Sequence, residues 1–280
     1  MPRDTIAAAL NRAAGRLAGD QARAEAEILL AHALGQPRSW LYAHADDSFP
    51  ASVETGFRDL MARRVRGEPI AHILGVQEFW SLLLAVTSDT LIPRPETELL
   101  VELALERLAS DSSHRVLDLG TGSGAIALAV AHERPRASVT AIDRNPRALE
   151  IARNNAARLV AGRIRFLVGD WFSPVEGETF DLIVANPPYI PAGDAHLSQG
   201  DLRFEPDTAL VAGVDGLDCI RLIVGGARRF LSPCAWLLIE HGMAQGAQVR
   251  GLMTECGLQD VATFSDLEHR DRVTAGRQPG

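Results

Sequence analysis

The spacing of hydrophobic residues divides the chain into three parts. Residues 1–75 carry apolar positions at helical spacing, as at Ile6, Leu10 and Leu17, and no alternating strand pattern interrupts them. This pattern predicts a small helical bundle. Over residues 76–90 the apolar positions alternate instead, which predicts a β-hairpin connecting the bundle to the rest of the chain. The remaining residues, 91–280, form the predicted main domain.

Short apolar runs alternate with helical segments from residue 114 onward. Helices are predicted over Ala125–His132, Pro146–Leu159 and Leu217–Leu231. Such alternation indicates an α/β domain with a doubly wound, mostly parallel, seven-stranded sheet. The predicted strands are Arg115–Leu119, Ser138–Ile142, Ile164–Val168, Leu182–Ala185, Trp236–Glu240 and two further strands near Val261–Phe264 and Arg272–Ala275. Thr97 is the predicted cap of a further helix over Leu99–Leu108.

Asn186-Pro187-Pro188-Tyr189 directly follows one of these buried strands. Two prolines cannot continue a central strand, because each lacks the backbone N–H that a ladder needs. The chain must therefore leave the sheet at its carboxyl edge, where open α/β sheets bind ligands. This segment can hold a planar –NH2 group. The side-chain amide and the proline carbonyls can accept its hydrogens, and the tyrosine ring can cover one face. A plain proline-rich exit loop is the alternative interpretation.

A glycine-rich turn, Asp118 to Gly124, follows the first strand of the sheet and opens a helix. Glycines allow a tight turn and a close ligand approach, and a helix N-terminus offers free N–H groups. Asp143 ends the next strand, where its carboxylate can accept hydrogen bonds from ribose hydroxyls. Gly120, Gly122 and Ala125 also fit a dinucleotide-binding pattern, so these residues predict a nucleoside site without choosing the nucleoside.

Gly169-Asp170-Trp171-Phe172 ends the third strand. Asp170 can accept from an exocyclic amine, and Trp171 can stack on a purine. The alternative is that Asp170 is an ordinary surface acid and Trp171 an ordinary core residue. A hydride-transfer enzyme has no evident use for the amide-gripping residues at the end of the fourth strand. The combination therefore disfavours hydride transfer and favours a nucleoside site beside a site for an –NH2 group.

Composition narrows the function further. A net charge of −8 argues against a protein that coats nucleic acid through phosphate contacts. No apolar stretch reaches the about 20 residues of a membrane span. The cysteines, Cys219, Cys234 and Cys256, lack metal-type spacing and favour reduced thiols in a cytoplasmic protein, so no metal site is predicted.

The chain resembles the class I S-adenosylmethionine-dependent methyltransferases, and within them the bacterial release factor glutamine methyltransferases of the PrmC or HemK family. Besides the motifs above, the resemblance is carried by Glu68-Pro69, Gly75 with Glu78-Phe79-Trp80, Leu91–Glu98 and Arg203-Phe204-Glu205-Pro206. It extends over the whole chain in order. One departure is Asp266–Val273, where relatives often carry Asn-Glu-Arg.

The resemblance implies a reaction and roles for individual residues. S-Adenosyl-L-methionine would be converted to S-adenosyl-L-homocysteine, and the methyl group would go to the glutamine side-chain nitrogen in the Gly-Gly-Gln motif of class 1 release factors. The implied cofactor-binding residues are Gly120, Thr121, Gly122, Ser123, Gly124, Asp143, Asp170, Trp171 and Asn186. The implied substrate-binding residues are Asn186, Pro187, Pro188 and Tyr189, of which Asn186, Pro187 and Tyr189 are also catalytic.

The resemblance also implies a monomer that docks its protein substrate through the helical domain and binds neither nucleic acid nor membrane. Three alternatives remain open at this point. The same amide-gripping residues would serve a methyltransferase acting on a ribosomal protein glutamine, or on N6 of adenine in DNA after base flipping. A nucleoside-binding module without catalysis is the third.

Overall fold

The computed structural model describes residues 4–160 and 164–280 of the chain. The chain divides into two compact units, Met1–Gly75 and Val76–Gly280. The smaller unit is helical, and its core includes the buried side chains of Leu29, Leu30 and Met61. Its helices are α1 (Ile6–Ala14), α2 (Ala22–Leu34), α3 (Arg38–Ala43), α4 (Ala51–Val65) and α5 (Ile70–Leu74).

The larger unit begins with a β-hairpin formed by β1 (Val76–Phe79) and β2 (Leu82–Ala85). Its two-residue turn, Trp80-Ser81, has positive φ angles of 51° and 56°. Such angles match the twist of the flanking strands. In the two strands of the hairpin, the side chains of Phe79, Leu82 and Leu84 are buried in the larger unit's core. The hairpin is therefore part of the larger unit.

Among the described residues, seven strands form the central sheet in the order β5-β4-β3-β6-β7-β9-β8. Strands β3 to β7 are parallel, and β9 is antiparallel to both of its neighbours. The predicted doubly wound sheet is thus confirmed. The strands are β3 (Arg115–Leu119), β4 (Ser138–Asp143), β5 (Ile164–Val168), β6 (Phe180–Ala185), β7 (Leu231–Glu240), β8 (Gln259–Ser265) and β9 (Asp271–Arg277).

Helices cover both faces of this sheet, because neighbouring residues of a strand point to opposite sides. The core on one face contains Val116 and residues of the first three helices of the larger unit. The core on the other face contains Leu117 and residues of that unit's last two helices. The helices are α6 (Glu98–Glu106), α7 (Ala125–Glu133), α8 (Pro146–Leu159), α9 (Asp218–Ala227) and α10 (Gly246–Glu255).

Three elements differ clearly from the sequence prediction. The helix predicted over Leu217–Leu231 ends at Ala227, and β7 begins at Leu231 rather than at Trp236. Helix α10 has no predicted counterpart. Its only fully buried residues are Gly246, Val249 and Met253, and its glycines lower helix propensity, so the apolar pattern is weak.

The topology determines where a ligand can bind. The chain moves outward from β3 to β5, then returns to place β6 on the other side of β3. Open α/β sheets bind ligands at such a switch point, beyond the carboxyl ends of the strands. The glycine-rich turn after β3 and the Asn186 segment after β6 both lie there.

Candidate active site

The glycine-rich turn joins β3 to α7 through residues with left-handed backbone angles. The φ angles are +74° at Gly120, +55° at Gly122 and +88° at Gly124. Glycine adopts these angles without steric cost, which explains the composition of the turn. The backbone N–H groups of Gly120 and Thr121 both donate to Ile142 O, at 2.9 Å each, and anchor the turn to β4.

Asp118 supports this turn from inside the sheet. Its fully buried side chain accepts hydrogen bonds from the Thr121 hydroxyl (2.6 Å) and from Ala127 N (3.2 Å) through Oδ2. Burial raises the pKa of Asp118 to about 7. Its other oxygen, Oδ1, has no hydrogen-bond partner among the described residues. Asp118 therefore fixes the shape of the turn and does not line the cavity described below.

Asp143 closes the same turn from the end of β4. Its Oδ2 accepts from Gly122 N at 2.9 Å, and its Oδ1 accepts from Asn145 N at 2.8 Å. Burial raises the pKa of this carboxyl. Each carboxylate oxygen has two lone pairs, so both can still accept from a diol. Asp143 lines the cavity, as the ribose role requires.

The end of β5 contributes Asp170 and Trp171. Both line the cavity. The φ angle of Trp171 is +43°, an uncommon backbone conformation for a bulky residue. Its ring lies beside the glycine turn, because a β-carbon on Gly120 would be 3.6 Å from the indole. The tryptophan is thus a wall of the cavity as well as a partner of the core.

Asn186 follows β6 and faces the same cavity. Its Nδ2 donates to the Thr97 hydroxyl at 3.1 Å, so its Oδ1 is the amide atom left to accept from a ligand. Pro188 also lines the cavity, whereas Pro187 and Tyr189 are not among its lining residues. The Tyr189 carbonyl accepts from Gln245 Nε2 at 3.0 Å, and burial raises the pKa of its hydroxyl above the usual range.

The structure brings most of the predicted cofactor residues to one cavity. Besides Asp143, Asp170, Trp171 and Asn186, the lining includes Gly120, Thr121, Gly122 and Ser123. Gly124 does not line it. A β-carbon on Gly124 would lie 3.2 Å from the Ala152 β-carbon, so this glycine allows α7 to pack closely on α8.

Two loops that carried the resemblance cover the cavity. Glu205, whose side chain is fully buried, accepts from Ile92 N at 2.9 Å and pairs with the Arg94 guanidinium. This pair ties the first loop to the second. The lining residues from these loops are Asp89, Thr90, Leu91, Pro93, Thr97, Pro206, Thr208, Ala209 and Val211.

Sequence reasoning missed two residues behind Asn186. Thr97, the predicted helix cap, makes no side-chain capping bond, because its hydroxyl accepts from Asn186 instead. Glu240 ends β7 and is 1% exposed, and burial raises its pKa to about 7. An acid at the end of a buried strand, beside the strand that carries Asn186, is the signal that could have identified it.

The described residues contain neither a helix long and apolar enough to cross a membrane nor a group of three or more metal-ligating side chains. The sheet order β5-β4-β3-β6-β7-β9-β8, with β9 antiparallel to both neighbours, is the fold of the class I, Rossmann-like methyltransferases. Two solved structures share this fold. They are the hMettl16 catalytic domain (TM-score 0.59, 14% identity, covering 79% of this chain and 83% of that one) and a Pyrococcus furiosus methyltransferase (TM-score 0.54, 17% identity, covering 79% and 99%).

Sequence relatives define the family more narrowly. The methyltransferase small domain family matches residues 96–200, and the PrmC N-terminal domain family matches residues 8–75. The Xylella fastidiosa release factor glutamine methyltransferase is 53% identical over 92% of this chain and 94% of its own length. The Vibrio cholerae protein of the same name is 49% identical over 98% and 96%. The chain belongs to the release factor glutamine methyltransferase family.

Proposed function

We propose that this enzyme transfers a methyl group from S-adenosylmethionine to the side-chain amide nitrogen of the glutamine in the Gly-Gly-Gln motif of class 1 release factors. The observation that carries this proposal is the Asn186 amide, which opens onto the same cavity as the glycine turn and Asp143. The names of the close relatives support the substrate assignment.

The cavity fits the cofactor chemically. Asp143 offers carboxylate oxygens to ribose hydroxyls, and the N-terminus of α7 with the glycine turn offers N–H groups to a carboxylate. Asp170 can accept from the adenine amine, while Trp171 bounds the site with a flat apolar face. The space above Gly122, where a β-carbon would meet no atom within 4 Å, leaves room for a ligand against the backbone.

The bound cofactor supplies an electrophilic methyl group, so the protein has to position the nucleophile. An amide nitrogen is a weak nucleophile because its lone pair is delocalised into the carbonyl. We assign the Asn186 Oδ1 and the Pro187 carbonyl as acceptors for the two amide hydrogens, which aims the nitrogen lone pair into the cavity. Holding reactants in line can supply about 7–11 kcal/mol at best.

The same acceptors stabilise charge during the transfer. Attack places positive charge on the nitrogen, and carbonyl oxygens aimed at its hydrogens interact more strongly then than before. Tyr189 would pack against the amide plane. A methylated, protonated amide is strongly acidic, so the reaction needs no dedicated base, and we assign no histidine to catalysis.

Two observations separate this proposal from its enzymatic rivals. A net charge of −8 opposes tight binding to the DNA backbone, which disfavours the adenine reaction. The PrmC N-terminal domain match over residues 8–75 favours the release factor over the ribosomal protein. We further propose that the helical unit docks the release factor, that the enzyme acts as a monomer, and that it works in the cytoplasm, where translation terminates.

Transfer of labelled methyl from S-adenosylmethionine tests the proposal. Purified release factor, ribosomal protein and duplex DNA are offered in parallel, with a release factor whose motif glutamine is replaced by alanine as the control. We expect incorporation into the intact release factor alone. Label in the ribosomal protein or DNA instead would select a rival, and no label in any substrate would favour a binding module.

The docking role of the helical unit has its own test. A chain limited to residues 76–280 should bind the cofactor as the full chain does but should bind the release factor more weakly. Isothermal titration with each ligand measures both affinities. Unchanged affinity for the release factor would refute the assignment of docking to residues 1–75.

A further inference from the structure

Glu240 is a buried acid that the proposed reaction does not use directly. It ends β7, and because Ala185 pairs with Ile239, the next residues of the two strands, Asn186 and Glu240, leave the sheet side by side. On its other side Glu240 pairs with Val273 of β9. Its Oε2 is buried and has no hydrogen-bond partner among the described residues.

The side chains of Thr97 and Asn186 connect Glu240 to the cavity. Both lie close enough to its carboxyl group to favour the charged form. The Thr97 hydroxyl also accepts from Asn186 Nδ2 at 3.1 Å. A hydroxyl that accepts one bond still has its own hydrogen to donate, and a carboxylate can only accept. With Thr97 donating its hydrogen to the carboxylate, the bonds would run in one direction, from Asn186 through Thr97 to Glu240.

This direction matters because an asparagine amide can be turned over with little change in shape. With the NH2 group toward Thr97 and Glu240, the oxygen faces the cavity and can accept from the substrate amide. In the reverse orientation the NH2 group would face the substrate NH2 group, donor against donor. An acid behind the residue selects the productive orientation, whereas an amide or a hydrocarbon in its place would not.

We propose that Glu240 is a positioning residue which, through Thr97, holds the Asn186 amide with its nitrogen toward the protein and its oxygen toward the substrate. The proposal deepens the function assigned above and rests on it. It concerns the acceptor geometry alone, so cofactor binding should be independent of Glu240.

The surroundings of Glu240 make the orientation of the Asn186 amide sensitive to pH. Burial opposes its ionisation, as does Glu96, while Arg272 of β9 favours ionisation. Tyr189 also lies within electrostatic reach. A neutral Glu240 carries a proton that it can donate to Thr97, and the one-way chain is then lost. Activity should therefore fall as the pH drops through about 7, the pKa of this carboxyl.

Variants of Glu240 and Thr97 test the proposal through kcat at pH 8. Glu240→Gln and Thr97→Val should each lower kcat at least about tenfold. The cofactor Kd of Glu240→Gln should change less than about twofold, because Glu240 does not line the cavity. Thr97→Ser, which keeps the hydroxyl, should restore most of the loss in Thr97→Val. Thr140→Val on β4 removes a buried hydroxyl that accepts from Arg165 of β5, and serves as the control. Loss in Thr97→Ser equal to that in Thr97→Val, or kcat retained by Glu240→Gln, would overturn the proposal.

A double-variant cycle shows whether Glu240 acts through Asn186. In an Asn186→Ala background, Glu240→Gln should change kcat by less than about twofold, because no amide remains to be oriented. The wild-type acid limb of the kcat–pH profile should also be absent in Glu240→Gln. An equal loss in both backgrounds, or an unchanged acid limb, would assign Glu240 a merely structural role.

A measurement without substrate separates this inference from the proposed function. The side-chain NH2 resonances of Asn186, identified by their absence in Asn186→Ala, should shift in the 15N spectrum with the titration of Glu240 and stay constant in Glu240→Gln. If this shift is seen but the wild type does not methylate release factors, the function fails and the positioning stands. If methylation occurs but the resonances do not move, only the positioning fails.

Discussion

The two halves of the carboxyl edge are built alike, with a buried acid and a threonine behind the groups that face the ligand. They differ in how far apart in the sequence these residues lie. In the half formed by β3 to β5, the buried Asp118 holds the glycine turn through the hydroxyl of Thr121, three residues away. In the half formed by β6 and β7, the buried Glu240 lies behind Asn186 and the hydroxyl of Thr97. Each half thus places an acid and a threonine behind the groups that face the ligand.

The difference lies in what each half offers to a ligand. The first half presents backbone N–H groups and the Asp143 carboxylate, which suit a nucleoside and its amino-acid tail. The second half presents an amide oxygen and carbonyls, which suit the hydrogens of a second amide. A methyl donor and a methyl acceptor can therefore be recognised side by side by groups of opposite hydrogen-bonding character.

Removing the acceptor in the second half should have the largest effect on the reaction. Asn186→Ala should lower kcat by about 100-fold to 1,000-fold, comparable to the loss of a preorganised transition-state contact. The cofactor Kd should change little, since the first half is intact. Steady-state kinetics and cofactor titration measure both, with Asn154→Ala on the exposed face of α8 as the control. A large loss of cofactor affinity with kcat preserved would reverse the assignment of the halves.

The loops that cover the two halves should contribute to the stability of the fold. Arg94→Met leaves the buried Glu205 carboxylate without its cation and should lower the free energy of unfolding by about 3 kcal/mol. Arg115→Met removes a more exposed pair with Glu178 and should cost at most about 1 kcal/mol. Urea denaturation compares the two variants. Equal losses would mean that the cover is not held by the buried pair.

Asp118 should give the first half a signature in the pH dependence of stability. Its pKa is raised from 3.8 to about 7, so the native state retains a proton that the unfolded chain has released, and wild-type stability falls as the pH rises across that interval. Relative to wild type, Asp118→Asn should gain up to about 1.4 kcal/mol per pH unit there and stay level above it. Urea denaturation between these pH values tests this, with Asp207→Asn at an exposed position as the control. A constant difference would show that Asp118 does not titrate in this way.

The glycine turn itself should show the smallest effect. Gly120→Ala would add a β-carbon at a φ of +74° and 3.6 Å from Trp171, so the turn should shift and weaken cofactor binding by about 1 kcal/mol. Gly193→Ala, at a φ of +84° with no atom within 4 Å, carries the same backbone cost away from the cavity. Fluorescence titration should show weaker cofactor binding for the first variant only. Equal affinities would indicate that the turn tolerates a side chain.

The same contrast explains how much could be predicted from the sequence. Gly122 follows β3 and Asp143 ends β4, so local patterns of one βαβ unit place them together, and the sheet follows from the alternation of strands and helices. Thr97 and Glu240 join Asn186 only through the sheet order and the packing of a distant loop. Thr97 stands where a helix cap is expected, so the local pattern gave no reason to predict that its hydroxyl accepts from Asn186.

Pro187 and Tyr189 illustrate a further limit of sequence patterns. Their motif places both residues next to Asn186, yet only Asn186 and Pro188 of the four line the cavity. Consecutive residues that leave a sheet point in different directions, and Tyr189 is held by Gln245 from a part of the chain that carries no recognisable motif. The sequence identifies the segment, whereas the backbone path decides which of its residues line the cavity.

The central claim is that the half formed by β6 and β7 binds the glutamine amide of a release factor. Peptide sequencing by mass spectrometry, after incubation of the wild-type enzyme with S-adenosylmethionine and an unmodified release factor, tests it directly. We predict one added methyl group, located on the side-chain nitrogen of the Gly-Gly-Gln glutamine and absent with Asn186→Ala. A methyl group on another residue, or full methylation by the variant, would contradict the account.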